Sequence, residues 1–510
     1  MKVKSYIILI VIFVLFVFSR LYKIGQIPPS LYWDEASIGY NAFSVAANGR
    51  DEWGELLPLH FRAFGEFKLP VYIYSVSITS KIFGNGVLAV RFPAVLYSLG
   101  TLIFVYLIAK KLFKSKTVAY FSTFFLGITP WLFIISRVGY EVTAGLMFFL
   151  AGFWLLLFSI KKPPYLILAT IAFIFSIYSY NSFRILVPLI LLPFFGYLIL
   201  INRKKIISLL VPILLSITIL TISFIPIYRL YRFDQGRSRA QAVALTGTKR
   251  EVIKSFITNY LKHFSYQFLF IQGDPNPRSQ MPGWGQIYLI SLPLLAFGIV
   301  RIIRKKDFAH LMVVFILLLS PIPASITKES PHALRSILMA PSLAILLGLG
   351  VKQMTEFFRK YRVYLLAAVM GFYLIEFGLY FNSFINLYPK NFSQDWQFGY
   401  KKLFADYHGE FSKYKKVIIS DRYAQPYIFA LYYLNYDSTE FKNSVSYNSP
   451  DKWGFSTVAG FNAFKFKKVD EKDVSNGMLI FATNEDRLLD PANAEIKFLD
   501  GSTAFWVYKQ

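Results

Sequence analysis

Long apolar runs constrain the fold of this chain more than any other feature of its sequence. Residues 6–19, 87–109 and 363–381 carry almost no charge, and about 20 largely apolar residues suffice to cross the hydrocarbon core of a bilayer. Loops and open sheet edges cannot face lipid, because their backbone polar groups would lack hydrogen-bond partners. The runs therefore predict membrane-spanning helices. Only 16% of the residues are charged, against about 25% in soluble domains, which agrees with a polytopic α-helical membrane protein.

The basic residues predict how these helices are oriented. Many of the residues behind the formal net charge of +26 lie in short clusters just beyond alternate apolar runs, as expected for loops that stay in the cytoplasm. A nucleic-acid-binding surface would instead need a basic face on a folded domain. The pattern thus predicts a protein integral to the cytoplasmic (plasma) membrane, with no nucleic-acid partner. The clusters lie at residues 2–4, 110–116, 161–162, 203–205, 301–306 and 352–362.

With these clusters as cytoplasmic markers, the chain is predicted to cross the membrane about 11 times from a cytoplasmic N-terminus. The first run is predicted to be an uncleaved span, because residues 16–20 lack a small-x-small cleavage pattern. A first external loop covers residues 20–86 and a second covers 229–284. The short apolar segment 69–83 is interpreted as a helix in the membrane interface. The predicted spans are 6–19, 87–109, 117–135, 142–160, 164–180, 185–201, 206–228, 285–303, 308–326, 335–350 and 363–382.

The composition changes after the last predicted span. Residues 1–382 form the predicted transmembrane catalytic domain, and 383–510 form a predicted extracytoplasmic α/β domain of ordinary size. Residue patterns in that domain predict one helix at 423–434 and strands at 415–420, 478–483, 494–499 and 503–508. The chain contains no cysteine, which excludes disulfides, thiolate catalysis and cysteine-ligated metal.

The first external loop carries acidic and basic residues that suit chemistry at a membrane surface. Asp34 and Glu35 follow the first span closely, among aromatic residues that favour the interface. Glu66 and Lys68 stand just before the predicted interfacial helix. Two alternatives need no catalysis. Asp34 or Glu35 could cap a helix that begins near Ala36, and Lys68 could simply extend its ammonium group to the membrane surface.

A second set of ionisable residues lies at the external ends of predicted spans. Charged groups at such depths are costly and often functional, although charged residues at span ends are common without any catalytic role. All members of the set share the predicted external side with Asp34, and this shared side carries more weight than any single residue. The set comprises Arg137, Glu141, Arg184, His332 and Arg335.

Together these motifs resemble the GT-C glycosyltransferases, in particular the protein O-mannosyltransferase-like and lipid A aminoarabinose transferase-like enzymes of the glycosyltransferase family 39 type. The resemblance covers roughly residues 1–350. The C-terminal domain resembles the extracytoplasmic domains of the family only in placement and α/β character. The motifs are the Asp34–Glu35 pair, Lys68 two residues before Pro70, VRFPAVL at 90–96, Ser136 and Arg137 with Glu141, and Arg335 ahead of Pro341 and of LGLG at 347–350.

The resemblance implies inverting transfer of a sugar, most simply a hexose, from a polyprenyl-phosphate carrier to an acceptor protein, lipid or glycan outside the cytoplasm. It implies that Asp34 orients or deprotonates the acceptor hydroxyl, with Glu35 and Glu141 as further catalytic candidates. Cations suit the other half of the reaction, because the departing lipid phosphate carries negative charge. The phosphate-binding candidates are Lys68, Arg184, His332 and Arg335, supported by Glu66 and Arg137.

Two departures from the family pattern bear on metal binding. Phe67 separates Glu66 from Lys68, where relatives often have the acid and the base in succession, and Leu69 replaces a proline. Glu141 stands where an aspartate is more usual. We therefore assign no metal ligands and no certain cofactor, and we keep a divalent cation as an open alternative.

Two other functions are kept as alternatives. A transporter or flippase of a lipid-linked glycan predicts ionisable residues buried in the middle of spans and paired repeats, whereas the acids here lie in predicted external loops. A non-catalytic membrane assembly protein, with the C-terminal domain as its binding module, makes no demand on Asp34. Sugar transfer that depends on Asp34 would separate the glycosyltransferase from both alternatives.

Overall fold

A computed structural model describes residues 2–201, 206–233, 236–450, 455–486, 488 and 491–510. The predicted cytoplasmic cluster at 203–205 lies outside the described residues. The α-helices are α1 (Lys2–Leu21), α2 (Trp33–Asn48), α3 (Pro70–Phe83), α4 (Val87–Phe113), α5 (Lys116–Ile128), α6 (Pro130–Phe133), α7 (Val142–Ser159), α8 (Tyr165–Ile177), α9 (Asn181–Ile201), α10 (Ile206–Phe233), α11 (Ser238–Val243), α12 (Lys249–Lys262), α13 (Ser291–Lys305), α14 (Phe308–Leu319), α15 (Ile322–Ser325), α16 (Met339–Phe357), α17 (Arg362–Asn386), α18 (Tyr388–Asn391), α19 (Phe398–Tyr407), α20 (Pro426–Tyr433) and α21 (Ser438–Ser444).

Strands are short and lie in two places. The strands are β1 (Phe61–Ala63), β2 (Glu66–Lys68), β3 (Lys416–Ile419), β4 (Ser446–Tyr447), β5 (Val458–Phe461), β6 (Phe464–Phe466), β7 (Met478–Ala482), β8 (Ala494–Lys497) and β9 (Thr503–Lys509). The contacts between residues divide the chain into two compact units. Unit one comprises Met1–Tyr22, Ala94–Tyr231 and Ala240–Asn382, and unit two comprises Lys23–Pro93, Arg232–Arg239 and Ser383–Gln510.

Each of the eleven predicted spans overlaps a helix. Within the described residues, six helical segments are long and apolar enough to cross a membrane: Val87–Phe113, Val142–Ser159, Asn181–Ile201, Leu209–Phe233, Phe308–Ser325 and Arg359–Asn386. A seventh candidate consists of Lys116–Ile128 and Pro130–Arg137, bent by 63° where Pro130 cannot donate a backbone hydrogen bond. The other four predicted spans overlap α1, α8, α13 and α16. The helices of an integral membrane protein are thus confirmed, while the count of 11 and the orientation stay predictions.

Small residues let the helices of unit one approach each other closely. An added Cβ at Gly348 of α16 would stand 2.8 Å from the carbonyl oxygen of Val118 in α5. At Gly350 it would stand 2.0 Å from the carbonyl oxygen of Leu294 in α13. Membrane helices gain dispersion contacts through such small residues, because lipid tails provide no hydrophobic drive between them. The LGLG sequence at 347–350 is therefore a close-packing surface for two neighbouring helices.

Unit two contains a seven-stranded sheet with the order β4-β5-β6-β3-β7-β9-β8. The central strand β3 pairs in parallel with β6 and β7, whereas the outer strands are antiparallel. Strands such as KVII at 416–419 and MLIFA at 478–482 are almost wholly buried, as expected for the parallel centre of a sheet. The four strands and the helix predicted in the C-terminal domain are confirmed within a few residues. Strands β4, β5 and β6 were not predicted from the sequence.

Candidate functional site

A tight hairpin brings Glu66 and Lys68 to one face. Strands β1 and β2 are antiparallel, with Ala63 opposite Glu66. The two turn residues, Phe64 and Gly65, have φ values of 22° and 81°, as two-residue hairpin turns with positive φ require. Side chains alternate along a strand, so Glu66 and Lys68 share a face. Phe67, which interrupts the acid–base pair in sequence, is therefore what places the two charges side by side.

The first turn of α2 carries Asp34 and Glu35. The helix begins at Trp33 and its N-cap residue is Tyr32, so the alternative that Asp34 or Glu35 caps a helix starting near Ala36 is wrong. Both carboxylates lie instead in the first helical turn, where the helix dipole stabilises negative charge. Successive helical residues are rotated by about 100°, so the two side chains leave the helix in different directions.

Asp34 belongs to a row of alternating charges in unit two. The Lys68 ammonium contacts the Asp34 carboxylate and lies 3.5 Å from Glu66 Oε1. Arg239 Nε lies 3.2 Å from Glu66 Oε2. The Lys68 side chain is only 4% exposed, whereas Asp34 is 27% and Glu66 24% exposed. A buried cation is thus held between two carboxylates that solvent or a substrate can reach, and Asp34 is an accessible carboxylate with a fixed cationic neighbour.

Glu35 has the opposite environment. Arg91 and Glu35 are both fully buried, with Arg91 Nε 2.9 Å from Glu35 Oε1 and Nη2 3.1 Å from Oε2. The remaining Arg91 N–H groups donate to the carbonyl oxygens of Ile24, Pro28 and Ser30 at 2.7–3.0 Å. All five guanidinium N–H groups therefore have acceptors. The pair fixes the loop that leads into α2, a role that the VRFPAVL motif around Arg91 does not indicate.

In unit one, Arg137 is buried at the end of α1. Its Nη1 donates to the carbonyl oxygens of Ser19 at 2.6 Å and Arg20 at 2.9 Å, and its Nη2 donates to that of Tyr22 at 2.8 Å. Arg137 thereby ties the segment before α7 to the C-terminal end of α1. Glu141 lies at the N-cap of α7 and is half-buried.

Arg184 lies at the start of α9 in unit one. Its Nη1 is 3.4 Å from the hydroxyl of Tyr231, and its guanidinium carbon is 5.9 Å from the centre of that ring. A guanidinium at this distance from an aromatic face is attracted by the ring quadrupole. The structure therefore places Arg184 beside the end of α10.

A buried cluster that was not predicted from the sequence surrounds His332. Asp274 Oδ2 accepts the backbone N–H of Ala333 at 2.6 Å, and Oδ1 accepts that of Asn276 at 2.9 Å. The same carboxylate lies 3.7 Å from His332 Nδ1. Burial raises the pKa of Asp274 to about 6. The only sequence feature near Asp274 is a stretch rich in turn-forming residues. Such a stretch predicts a loop, but it does not predict that the loop buries an acidic side chain.

His263 and Arg335 complete that cluster. His263 Nε2 accepts the backbone N–H of His332 at 3.2 Å, and its Nδ1 lies 2.9 Å from the Asn259 carbonyl oxygen. Burial lowers the pKa of His263 to about 4, so the ring is neutral with its proton on Nδ1. Arg335 Nη1 donates to Thr327 at 2.8 Å. His332 and Arg335 are thus brought together by the same loop, within unit one.

The predicted site residues therefore fall into both units. Asp34, Glu35, Glu66 and Lys68 lie together in unit two, and the remaining five candidates lie in unit one. Within the ranges that the structure describes, no cluster of three or more His, Asp or Glu side chains has the spacing of a metal site. The divalent cation stays a possibility raised by the sequence resemblance.

Part of the sequence matches a known family. Residues 68–229 match the model of the family described as "Dolichyl-phosphate-mannose-protein mannosyltransferase". The matched stretch begins at Lys68 and includes Arg91, Arg137, Glu141 and Arg184. No curated protein sequence matches the chain.

The fold is similar to solved membrane enzymes. ArnT from Cupriavidus metallidurans, bound to undecaprenyl phosphate, superposes with a TM-score of 0.51 at 13% identity, covering 86% of this chain and 85% of that one. An oligosaccharyltransferase from Archaeoglobus fulgidus, tethered with an acceptor peptide, gives a TM-score of 0.48 at 11% identity, covering 85% of this chain. The chain spans 63% of the length of that oligosaccharyltransferase. The family match and the ArnT-like fold confirm the predicted GT-C resemblance.

Proposed function

We propose that this chain, a membrane protein with a GT-C fold, transfers a sugar of the hexose class from a polyprenyl-phosphate carrier to an acceptor on the extracytoplasmic side. The observation that carries the proposal is the accessible Asp34 carboxylate, held by Lys68 at the start of the stretch that matches a mannosyltransferase family. ArnT, whose fold is similar, was solved bound to undecaprenyl phosphate, and this supports a polyprenyl carrier for the chain described here. Acceptor classes remain a protein, a lipid or a glycan.

The proposed reaction is a single displacement with inversion. The acceptor oxygen forms a bond to the anomeric carbon while the bond from that carbon to the carrier phosphate breaks. Asp34 takes the proton of the acceptor hydroxyl, and polyprenyl phosphate leaves with the electron pair. General-base help of this kind is typically worth about 10²–10⁴-fold in rate. Because Asp34 is partly exposed at a helix N-terminus, an acceptor can reach it without unfolding the loop.

Lys68 has two proposed tasks. In the free protein it neutralises Asp34 and Glu66, which keeps both carboxylates in place. During transfer its ammonium group is a cation for the departing phosphate, as charge on a leaving group requires. Glu66 supports Lys68, and Glu35 acts through Arg91 as a positioning residue. The phosphate-binding roles of Arg184, His332 and Arg335, the catalytic role of Glu141 and the support by Arg137 stay predictions from the resemblance.

Transfer from a defined donor tests the function. The full chain is reconstituted in liposomes with polyprenyl phosphate [¹⁴C]mannose and an acceptor fraction extracted from membranes of the expression host. Label that becomes covalently attached to acceptor, and that no longer partitions as the donor lipid, supports the glycosyltransferase. Movement of intact donor across the bilayer without transfer would instead establish the flippase alternative.

The orientation is tested separately. Because the natural chain has no cysteine, single cysteines at Asp500 and at Lys114 can be labelled without background in intact cells. We expect an impermeant thiol reagent to label position 500 and to spare position 114, as an extracytoplasmic C-terminal domain and a cytoplasmic cluster require. The reverse labelling would overturn the proposed side of the reaction.

A further inference from the structure

Three nearby residues of the C-terminal segment hold the loop that leads into α2. The Trp396 carbonyl oxygen accepts a hydrogen bond from the Ser30 hydroxyl. Lys401 Nζ donates to the Pro29 carbonyl oxygen at 2.9 Å. Gln397 Oε1 accepts the backbone N–H of Trp33 at 3.0 Å. All of these residues belong to unit two. Residues 396–401 are therefore hydrogen-bonded to the segment 29–33, which immediately precedes Asp34.

Gln397 is the member of this group that touches the helix itself. The first N–H groups of an α-helix have no partner within the helix and need an outside acceptor. A serine, threonine, aspartate or asparagine at the N-cap would normally accept from the N–H of the second or third helical residue, but the N-cap of α2 is Tyr32. The side-chain carbonyl of Gln397 supplies the acceptor for Trp33, the residue next to Asp34. The cap of the helix that carries Asp34 therefore comes from a segment more than 360 residues away in sequence.

The other end of the Gln397 side chain is fixed as well. Its amide nitrogen Nε2 donates to the carbonyl oxygens of Tyr423 at 2.5 Å and Ala424 at 3.4 Å. Gln397 is 6% exposed, so little solvent competes for these bonds. The amide must therefore keep its oxygen toward Trp33 and its nitrogen toward Tyr423, which couples α2 to the loop between β3 and α20.

The backbone around this contact is conformationally unusual. Gln397, Ala424 and Gln425 have φ values of 51°, 62° and 52°. Left-handed backbone costs energy for residues other than glycine and tends to gather at functional sites. Here such residues supply both the Gln397 side chain and one of the carbonyl oxygens that it contacts. The arrangement is specified by tertiary contacts and not by local preference.

We infer that Gln397 is a positioning residue through which the C-terminal segment 383–510 holds the first turn of α2, and hence Asp34, in its working orientation beside Lys68. The inference rests on the proposed function for the role of Asp34, and it gives the C-terminal domain a part in catalysis beyond that of a separate binding module. Glu35 and Arg91 fix the loop from within, and Gln397 caps the helix from the C-terminal segment.

Three variants of the full chain test the coupling. Gln397→Leu removes all three hydrogen bonds of the side chain, to Trp33, Tyr423 and Ala424. Gln397→Glu is isosteric, and its neutral carboxyl can accept from Trp33 and donate to Tyr423, whereas its ionised form places an oxygen against the Tyr423 carbonyl. Gln394→Leu is the matched control, because Gln394 is exposed and bonds Asp500 and Ser502. Hydrogen exchange of the amides of residues 33–36 and transfer from polyprenyl phosphate [¹⁴C]mannose are measured for each, from pH 5.5 to 8.

We expect Gln397→Leu to speed exchange at 33–36 and to lower kcat by about 10- to 100-fold, as misplacement of a catalytic group by about 1 Å does, with KM for the donor nearly unchanged. Gln397→Glu should approach wild type at pH 5.5 and lose activity as pH rises. Gln394→Leu should match wild type throughout.

Two results would overturn the inference: wild-type exchange and transfer in Gln397→Leu, or a Gln397→Glu variant that is equally impaired at every pH. The exchange measurement does not depend on the reaction. If the wild type transfers no sugar while Gln397→Leu still speeds exchange at 33–36 relative to Gln394→Leu, the proposed function fails and the coupling between the C-terminal segment and α2 is supported.

Discussion

Asp34 and Glu35 are neighbours in sequence with opposite surroundings. Asp34 is partly exposed and contacts a single ammonium group, whereas Glu35 is sealed and bound by two atoms of a guanidinium whose other N–H groups hold the preceding loop. A helix turns about 100° per residue, so the adjacent side chains of Asp34 and Glu35 point in different directions, one toward solvent and the other into the protein interior. Two adjacent acidic residues can thus differ in role: the Asp34 carboxylate is accessible to solvent, and the Glu35 carboxylate fixes the backbone that carries it.

The largest loss of stability should come from breaking the buried Glu35–Arg91 pair. Arg91→Leu removes the guanidinium that binds the buried Glu35 carboxylate, and breaking a buried ion pair typically costs about 3–5 kcal/mol. We expect loss of folded protein or a strongly lowered Tm in detergent, measured by thermal unfolding with a fluorescence or size-exclusion readout. Arg239→Leu is the matched control, since Arg239 also pairs with a carboxylate but is 53% exposed. Its Tm should change little, and equal losses in the two variants would contradict the comparison.

A second buried carboxyl sharpens the comparison because, within the described part of the chain, no Lys, Arg or His forms an ion pair with it. Glu52 is fully buried, and the Tyr427 hydroxyl lies 3.4 Å from its Oε1. Burial, with a further contribution from the charge of Asp51, raises the pKa of Glu52 to about 8 from the ordinary value of 4.5. The folded state therefore holds this proton more tightly than the unfolded state. Its stabilising contribution is complete below pH 4.5 and is lost as pH rises toward about 8.

Thermal unfolding between pH 5 and 8.5 measures this loss. We expect Tm of the wild type to fall across that window by more than Tm of Glu52→Gln, which cannot ionise at this position. Glu55→Gln, at an exposed carboxylate of the same loop, should keep the wild-type slope. An unchanged slope in Glu52→Gln would mean that this carboxyl is already ionised at neutral pH.

The smallest loss of stability should come from removing Lys68, whose carboxylate partners Asp34 and Glu66 are partly exposed. Lys68→Met leaves Asp34 and Glu66 without their shared cation, but both carboxylates reach solvent, so the loss of stability should be about 1 kcal/mol or less. Sugar transfer should nevertheless fall, by about 10²-fold if Lys68 also faces the leaving phosphate. Transfer rates and Tm measured on the same preparations test this separation. A large loss of Tm with near-normal transfer would place Lys68 with the structural residues.

Local patterns in the sequence predicted the helices well. Apolar runs place every predicted span on a helix, and the helix predicted at 69–83 coincides with α3, which Pro70 begins as a residue suited to the first helical turn. The C-terminal strands that were predicted, β3, β7, β8 and β9, are apolar runs or apolar alternations of four or more residues, whereas β5 (VAGF) is interrupted by glycine. Strands β1, β2, β4 and β6 have two or three residues each, too few to show a period. Their pairing, not their local sequence, makes them strands.

The sequence predicted which residues belong to the candidate site, but it did not predict how they are arranged in space. The sequence pointed to Asp34, Glu66 and Lys68, but the hairpin that places Glu66 and Lys68 on one face appeared only as a departure caused by Phe67. Arg91 looked like one polar residue in an apolar run, because nothing local shows that its partners lie near residues 24–35. Asp274, His263 and Gln397 were missed for the same reason. Contacts between distant segments leave no periodic signal in a single sequence.

If Asp34 and Glu35 have the different tasks proposed for them, one paired measurement on the two carboxylates will separate them. Transfer from polyprenyl phosphate [¹⁴C]mannose and Tm are measured together for Asp34→Asn and Glu35→Gln. We expect Asp34→Asn to lose transfer by about 10²–10⁴-fold while its Tm stays near wild type, and Glu35→Gln to have a clearly lower Tm than Asp34→Asn. Retained transfer in Asp34→Asn, or matching losses of Tm in both variants, would contradict this expectation.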